Sequence, residues 1–289
     1  MWLMAVFTFK EALRKRVVLV AALLTLAFLT LYGIGLHFMV GTNARIADPA
    51  AADVFELIEP LVLFSMGIYL ASFLVAGLAI LAAVGSIAGE IENGTLYPLA
   101  ARPLTRRDLL LGKYFGLAAM LVTYAALFFL ALVGLVYWQT GLLLPGSWVA
   151  LALFALKPLV LLSVTMLGTT RLPTLSNGVL AFGLYALSVM GGMIEQIGAM
   201  VGSTAAIYIG VITSLILPAD AVYRRVVATV VNRILLQGTS PDMVFFNPAN
   251  VLGPFGSHST PSDWMLVYTA GYIVVMLTLA IRIFNRRDV

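Results

Sequence analysis

Between Pro60 and Ala88 the chain carries no charged residue, and Val17–Val40 and Tyr114–Trp138 carry none either. Nothing inside a bilayer solvates a backbone N–H or C=O, so runs of this length are stable there only when their polar groups bond within the segment. About 20 apolar residues in a helix reach across the roughly 30 Å of hydrocarbon, and each run is long enough. The composition agrees: hydrophobic residues make up 62% of 289 and charged residues 10%, with a mean hydropathy of +1.03. The expected fold is therefore an all-α integral membrane protein, with 1–289 forming one transmembrane domain.

Charge and residue types exclude several functions. A net charge of +4 invites a nucleic-acid reading, but the cations sit in short segments between apolar runs, as the positive-inside rule expects. No nucleic-acid partner is expected. The chain has no cysteine, hence no disulfide, thiolate metal site or catalytic thiol, and with only His37 and His258 a histidine metal centre is not expected.

Taken in order, residues 1–16 place Trp2, Val6, Phe9 and Leu13 at helical spacing beside Lys10, Arg14, Lys15 and Arg16, the pattern of an amphipathic interfacial helix. The following apolar run is too long for a signal-peptide core of about 7–15 residues, so the start is expected to be retained on the cytosolic side. Val17–Val40 is the first span. Gly41–Glu59 carries Arg45 against Asp48, Asp53, Glu56 and Glu59 and should face outward. The second span lies within Pro60–Ala88, the third over about Tyr114–Trp138 and the fourth over Trp148–Gly168, with Thr169–Gly178 as a cytosolic turn. Tyr137, Trp138 and Trp148 supply an outer aromatic belt.

Leu172–Leu217 contains one charge, Glu195, and has room for one span or two. Gly191, Gly192, Gly198, Gly202 and Gly210 make a poor lipid-facing helix unless other protein covers them. The expectation is one full span, Gly178 to Glu195, followed by a re-entrant or interfacial hairpin. Ala221–Leu236 then reads as an amphipathic segment at the surface, and Trp264–Ile281 as the last of six spans. Both termini are expected in the cytosol, with the lipid bilayer of a prokaryotic cell membrane as surroundings.

Against this apolar background one polar stretch stands out, residues 89–113, GEIENGTLYPLAARPLTRRDLLLGK. Asn93-Gly94 is a turn signal, and Pro98 and Pro103 cannot sit inside a regular hydrogen-bonded helix. Thr105-Arg106-Arg107-Asp108 fits a capping box, in which the Thr hydroxyl takes an orphan N–H and the Asp reaches back. A helix should begin at Arg106 and run into the third span, welding the loop to it.

No G-x-x-x-x-G-K-[ST] motif occurs, so the chain has no P-loop for ATP, and no chain of intramembrane Asp, Glu or His suggests a proton-coupled carrier. The run Glu90-Ile-Glu92-Asn-Gly94-Thr95, with Arg102-Pro103-Leu-Thr105-Arg106-Arg107-Asp108 and Gly112-Lys113, resembles the signature of ABC type-2 exporter permeases. Weaker matches are the turn from Thr170 to Gly178 and Leu217-Pro218-Ala-Asp220-Ala-Val-Tyr-Arg224 before the last span. Related permeases serve sodium export, peptide-antibiotic resistance and nitrous-oxide reductase maturation. The resemblance implies a non-catalytic permease working as a homodimer or heterodimer with two copies of a separate ATPase. That ATPase would hold the ATP and Mg, leaving no cofactor or metal in this chain. It also implies that Glu90, Glu92, Gly94, Thr95, Arg102, Pro103, Thr105, Arg106, Arg107, Asp108, Gly112 and Lys113 couple to the ATPase, the carboxylates bridging to basic groups on the partner or on the amphipathic start. The rival reading is a membrane scaffold or anchoring subunit that moves nothing.

Two further residues are candidates for the pathway. Lys157 lies mid-span, where a lysine costs about 2.5–3.5 kcal/mol on insertion scales; a functional role, snorkelling and capture by a carbonyl freed by Pro158 all remain open. Glu195 is its expected acidic partner. The topology itself predicts that Ser257→Cys is labelled by an impermeant maleimide from the outer side; labelling from the cytosol alone would contradict the six-span arrangement.

Overall fold

The computed structural model describes residues 2–43, 52–94, 105–141, 144–237, 256 and 258–286. Thr95, Arg102 and Pro103, like Pro98 and Ser257, lie outside the described residues. Among the described residues the chain forms α1 (Trp2–Arg14), α2 (Arg16–Asn43), α3 (Ala52–Val84), α4 (Ala88–Glu92), α5 (Arg106–Thr140), α6 (Ser147–Thr169), α7 (Thr174–Val201), α8 (Thr204–Ile216), α9 (Ala219–Gln237) and α10 (Asp263–Asn285). Six segments are long and apolar enough to cross a membrane: α2, α3 with α4, α5, α6, α7 and α10. The all-helical, six-span expectation holds.

α1 turns on Lys15 into α2 and lies along the start of α5. Thr8 and Ala12 are its buried face, and Gly116 of α5 brings the two helices together, since a Cβ there would meet Thr8 Cβ at 2.6 Å. Trp2, Val6 and Leu13 of the predicted apolar stripe are exposed, while Phe9 packs inward, so the outer face suits a bilayer interface.

The second span starts earlier than its apolar run. α3 begins at Ala52, which places Asp53, Glu56 and Glu59 in the helix rather than in a loop. The fifth span also starts early, at Thr174, so Asn177-Gly178 is helix and not turn. Asn177 is buried and donates to Thr165 O at 3.1 Å and Val84 O at 3.4 Å. Asn177 thereby bonds to neighbouring elements and leaves its own backbone helical. The connection is only Thr170–Pro173.

After α7 the chain returns as a hairpin. α8 has 13 residues and is about 20 Å long, too short to cross alone, and α9 leaves it at a bend of 110°. The break falls at Leu217-Pro218, where proline cannot donate the next helical hydrogen bond. α8 packs on α7 through the glycines noted in the sequence. A Cβ on Gly191 would collide with Thr213, one on Gly210 with Glu195, and one on Gly198 would meet Ala206 Cβ at 2.6 Å. Such small-residue faces let backbones approach where lipid offers no hydrophobic drive for helices to associate.

The expectation that Ala221–Leu236 lies at the surface is wrong. Tyr223, Val226, Val227 and Val230 of α9 are buried in one core cluster with Phe64 of α3, Phe129 of α5 and Phe154 of α6. A second cluster, nearer α1, joins Ala12 to α3, α5, α6, α7 and Phe284 of α10. Polar residues made α9 read as amphipathic, and the largest of them, Arg224, is satisfied inside the bundle.

Replacing Gly191 by Val is expected to destabilise the detergent-solubilised protein by about 1–3 kcal/mol through overpacking. Gly183→Val on the same helix, where an added Cβ meets nothing within 4 Å, should not. Comparable thermal midpoints for the two variants would contradict the close hairpin packing.

Candidate functional site

Among the described residues, polar groups gather in two places along the bundle, and the first is the end that carries α1. Thr105 caps α5 as its spacing predicts: its hydroxyl accepts from Asp108 N at 3.1 Å and donates to Asp108 Oδ2 at 2.6 Å. α5 then runs unbroken for 35 residues, so the polar loop is continuous with a rigid span. Gly94 takes φ 69°, the left-handed conformation expected of the Asn93-Gly94 turn. Arg106 Nη1 donates to Phe284 O of α10 at 3.5 Å, and Arg107 is exposed.

Glu90 and Glu92 both have partners within the chain. Glu90 pairs with Lys113 of α5, whose ammonium also donates to Ser86 O. Lys113 is only 5% exposed, and Gly112 beside it is buried. Glu92 reaches the start of α7, accepting from Thr174 N and from the Thr174 hydroxyl, each at 2.8 Å. The N-cap of α7 is Pro173, which has no side-chain acceptor. Glu92 therefore supplies the cap from another helix and adds negative charge at the positive end of the α7 dipole.

The second gathering is buried at the junction of the two core clusters. Lys157, Arg224, Glu195 and Asp220 are 1%, 2%, 4% and 5% exposed. Arg224 is the hub: it pairs with Glu195 Oε1 at 2.6 Å and Asp220 Oδ2 at 3.0 Å, and donates to Ser214 Oγ at 3.0 Å and Ser259 O at 3.3 Å. Ser188 joins the break between α8 and α9 to α7, donating to Leu217 O and accepting from Asp220 N. The segment before α10 closes over the hub. Ser259 Oγ donates to Glu195 Oε1 at 2.6 Å, and Gln196 Oε1 accepts from His258 N and Ser259 N.

The expected Lys157–Glu195 pair does not form. Lys157 Nζ donates to Tyr185 OH at 3.3 Å and stands 5.1 Å and 5.8 Å from the ring centres of Tyr185 and Tyr223, within cation–π range. Its full burial excludes snorkelling. Glu195 is buried as expected of a pathway candidate, but Arg224 engages it, together with a second buried carboxylate, Asp220. That makes the cluster a two-by-two balance of charges, built to hold α7, α8, α9 and the segment before α10 together.

Sequence reasoning gave Tyr185 and Ser259 no part and met Arg224, Asp220 and Thr174 only inside family-like motifs, with no site role. The i, i+4 spacing of Asp220 and Arg224, just after Pro218, was the available signal for a pair facing the same side. The geometry predicts that Arg224→Met, which strands two buried carboxylates, costs about 3–5 kcal/mol, and that adding Glu195→Gln restores part of it. Lys157→Met and Glu195→Gln, which share no direct bond, should couple less strongly than Arg224→Met and Glu195→Gln in the same thermal-stability cycle. Strong coupling of Lys157 to Glu195 would contradict the observed partners.

The profile of the family described as ABC-2 family transporter protein matches residues 4–289. No curated protein matches the chain.

Proposed function

Since the chain belongs to the ABC-2 transporter family and is a permease component of an ABC transporter, we propose that two such chains form an export pathway driven by two copies of a separate ATPase. On this reading the partner binds ATP and Mg and hydrolyses the nucleotide, and this chain is not itself an enzyme. The end carrying α1, the start of α5 and the end of α10 faces the cytosol with both termini, and the surrounding membrane is a prokaryotic cell membrane. Residues 89–113 dock on the ATPase, and Thr95, Arg102, Pro103, Arg106 and Arg107 take part in the coupling.

One observation carries the reading: the Thr105 cap begins a helix that continues without interruption for 35 residues. A push on the loop is then delivered to the third span as a rigid displacement, which a loop joined by a flexible linker would absorb. Gly112 and Lys113 lie buried just inside that lever. A scaffold that moves nothing has no comparable observation in its favour.

Reversing both charges, Arg106→Glu with Arg107→Glu, is expected to detach or uncouple the ATPase while the permease still inserts and dimerises. Like charges facing each other across an interface cost several kcal/mol, and about 1.4 kcal/mol is a tenfold change in affinity. Co-purifying ATPase should therefore fall roughly tenfold or more. ATPase recovery and transport at the parental level would contradict the proposed docking role.

A further inference from the structure

We propose that Glu92 is a positioning residue that transmits movement of the 89–113 loop to α7. This rests on the coupling reading above and adds a second route to the lever of α5. Glu92 closes α4, the short helix at the end of the second span, and its two oxygens separately take the backbone and hydroxyl donors of Thr174. A bidentate grip of this kind fixes both position and orientation, whereas a single bond would allow the helix start to swing.

The neighbourhood makes the grip the available connection. The cap position before α7 is Pro173, which offers no side-chain acceptor for the first-turn N–H groups. Asn177, in the same first turn, ties it to Thr165 O of α6 and Val84 O of α3, and Gly168 leaves no space for a Cβ beside it. The first turn of α7 is thus locked against its neighbours, and Glu92 joins it by hydrogen bonds to the segment that runs into the loop. On the other side of that segment, Glu90 and Lys113 join it to α5. A displacement of the loop reaches α5 through the chain and α7 through Glu92. Since α7 continues to Val201 and carries the α8 hairpin, its tilt would move the buried Arg224 cluster as well.

Native membranes holding the whole transporter, with ATP and orthovanadate as the nucleotide probe, provide the test. The parental chain lacks cysteine, so Val201→Cys at the far end of α7 and Trp138→Cys at the far end of α5 report separately through impermeant maleimide labelling. Both positions are exposed, at 77% and 80%. In the otherwise unaltered chain, nucleotide should change labelling at both. With Glu92→Ala the α5 position should keep its response and the α7 position should lose it. Glu92→Asp should restore part of that response, and Thr174→Ser, which keeps both donors, all of it. Thr174→Val retains only the backbone donor and should weaken the α7 response, serving as an independent variant if Glu92→Ala inserts poorly. A merely structural brace would lower thermal stability yet leave the nucleotide response at Val201→Cys intact, and that result overturns the proposal. No nucleotide response at either position in the otherwise unaltered chain would overturn the coupling reading together with it.

Discussion

A charge inside hydrocarbon is stable only with its partner beside it, and the arrangement around Arg224 follows from that constraint. Burying one ion without a counter-ion costs several kcal/mol, so Arg224 fixes where Glu195 and Asp220 must be. Those two residues fix how α7 meets α9, and Ser214 and Ser259 bring α8 and the segment before α10 to the same point. A buried ion pair is weak evidence of net stability against an apolar alternative. Its consequence here is geometric: a break at Leu217-Pro218 would leave α8 and α9 loosely related, and the ion cluster sets their relation.

Lys157 extends the same logic with different chemistry. Two aromatic faces and one phenolic hydroxyl, from Tyr185 and Tyr223, surround its ammonium. The rings are large apolar bodies that fit the core, and their negative faces accept a cation. The site holds α6 to α7 and α9 without bringing in another carboxylate, and its ammonium brings the neighbouring cluster to two charges of each sign.

What the sequence made legible was whatever depends on local order. The spans follow from apolar length, the start of α5 from Thr105 and Asp108, the turn at Gly94 from Asn-Gly, and the hairpin from five glycines and Pro218. What stayed hidden depends on contacts between distant residues. Arg224 looked like a surface cation because charge usually marks solvent, and nothing local tells a paired arginine from a hydrated one. Glu92 looked like the end of a span facing a partner, yet Thr174 is 82 residues away. Asn177-Gly178 looked like a turn because asparagine favours turns when its side chain bonds its own backbone, and here that side chain bonds Thr165 and Val84 instead.

At the α1 end, a capped helix, an ion pair and a borrowed cap bind the polar segment to three spans. This gives the proposed docking loop somewhere to deliver force. The most direct measurement is photo-crosslinking from that loop: a benzophenone side chain at Arg107, irradiated in native membranes, with the adduct identified by mass spectrometry. The account predicts an adduct with a P-loop ATPase from Arg107 and none from the same probe at Trp138, at the far end of α5. An Arg107 probe that yields no ATPase adduct while the transporter remains assembled would contradict it.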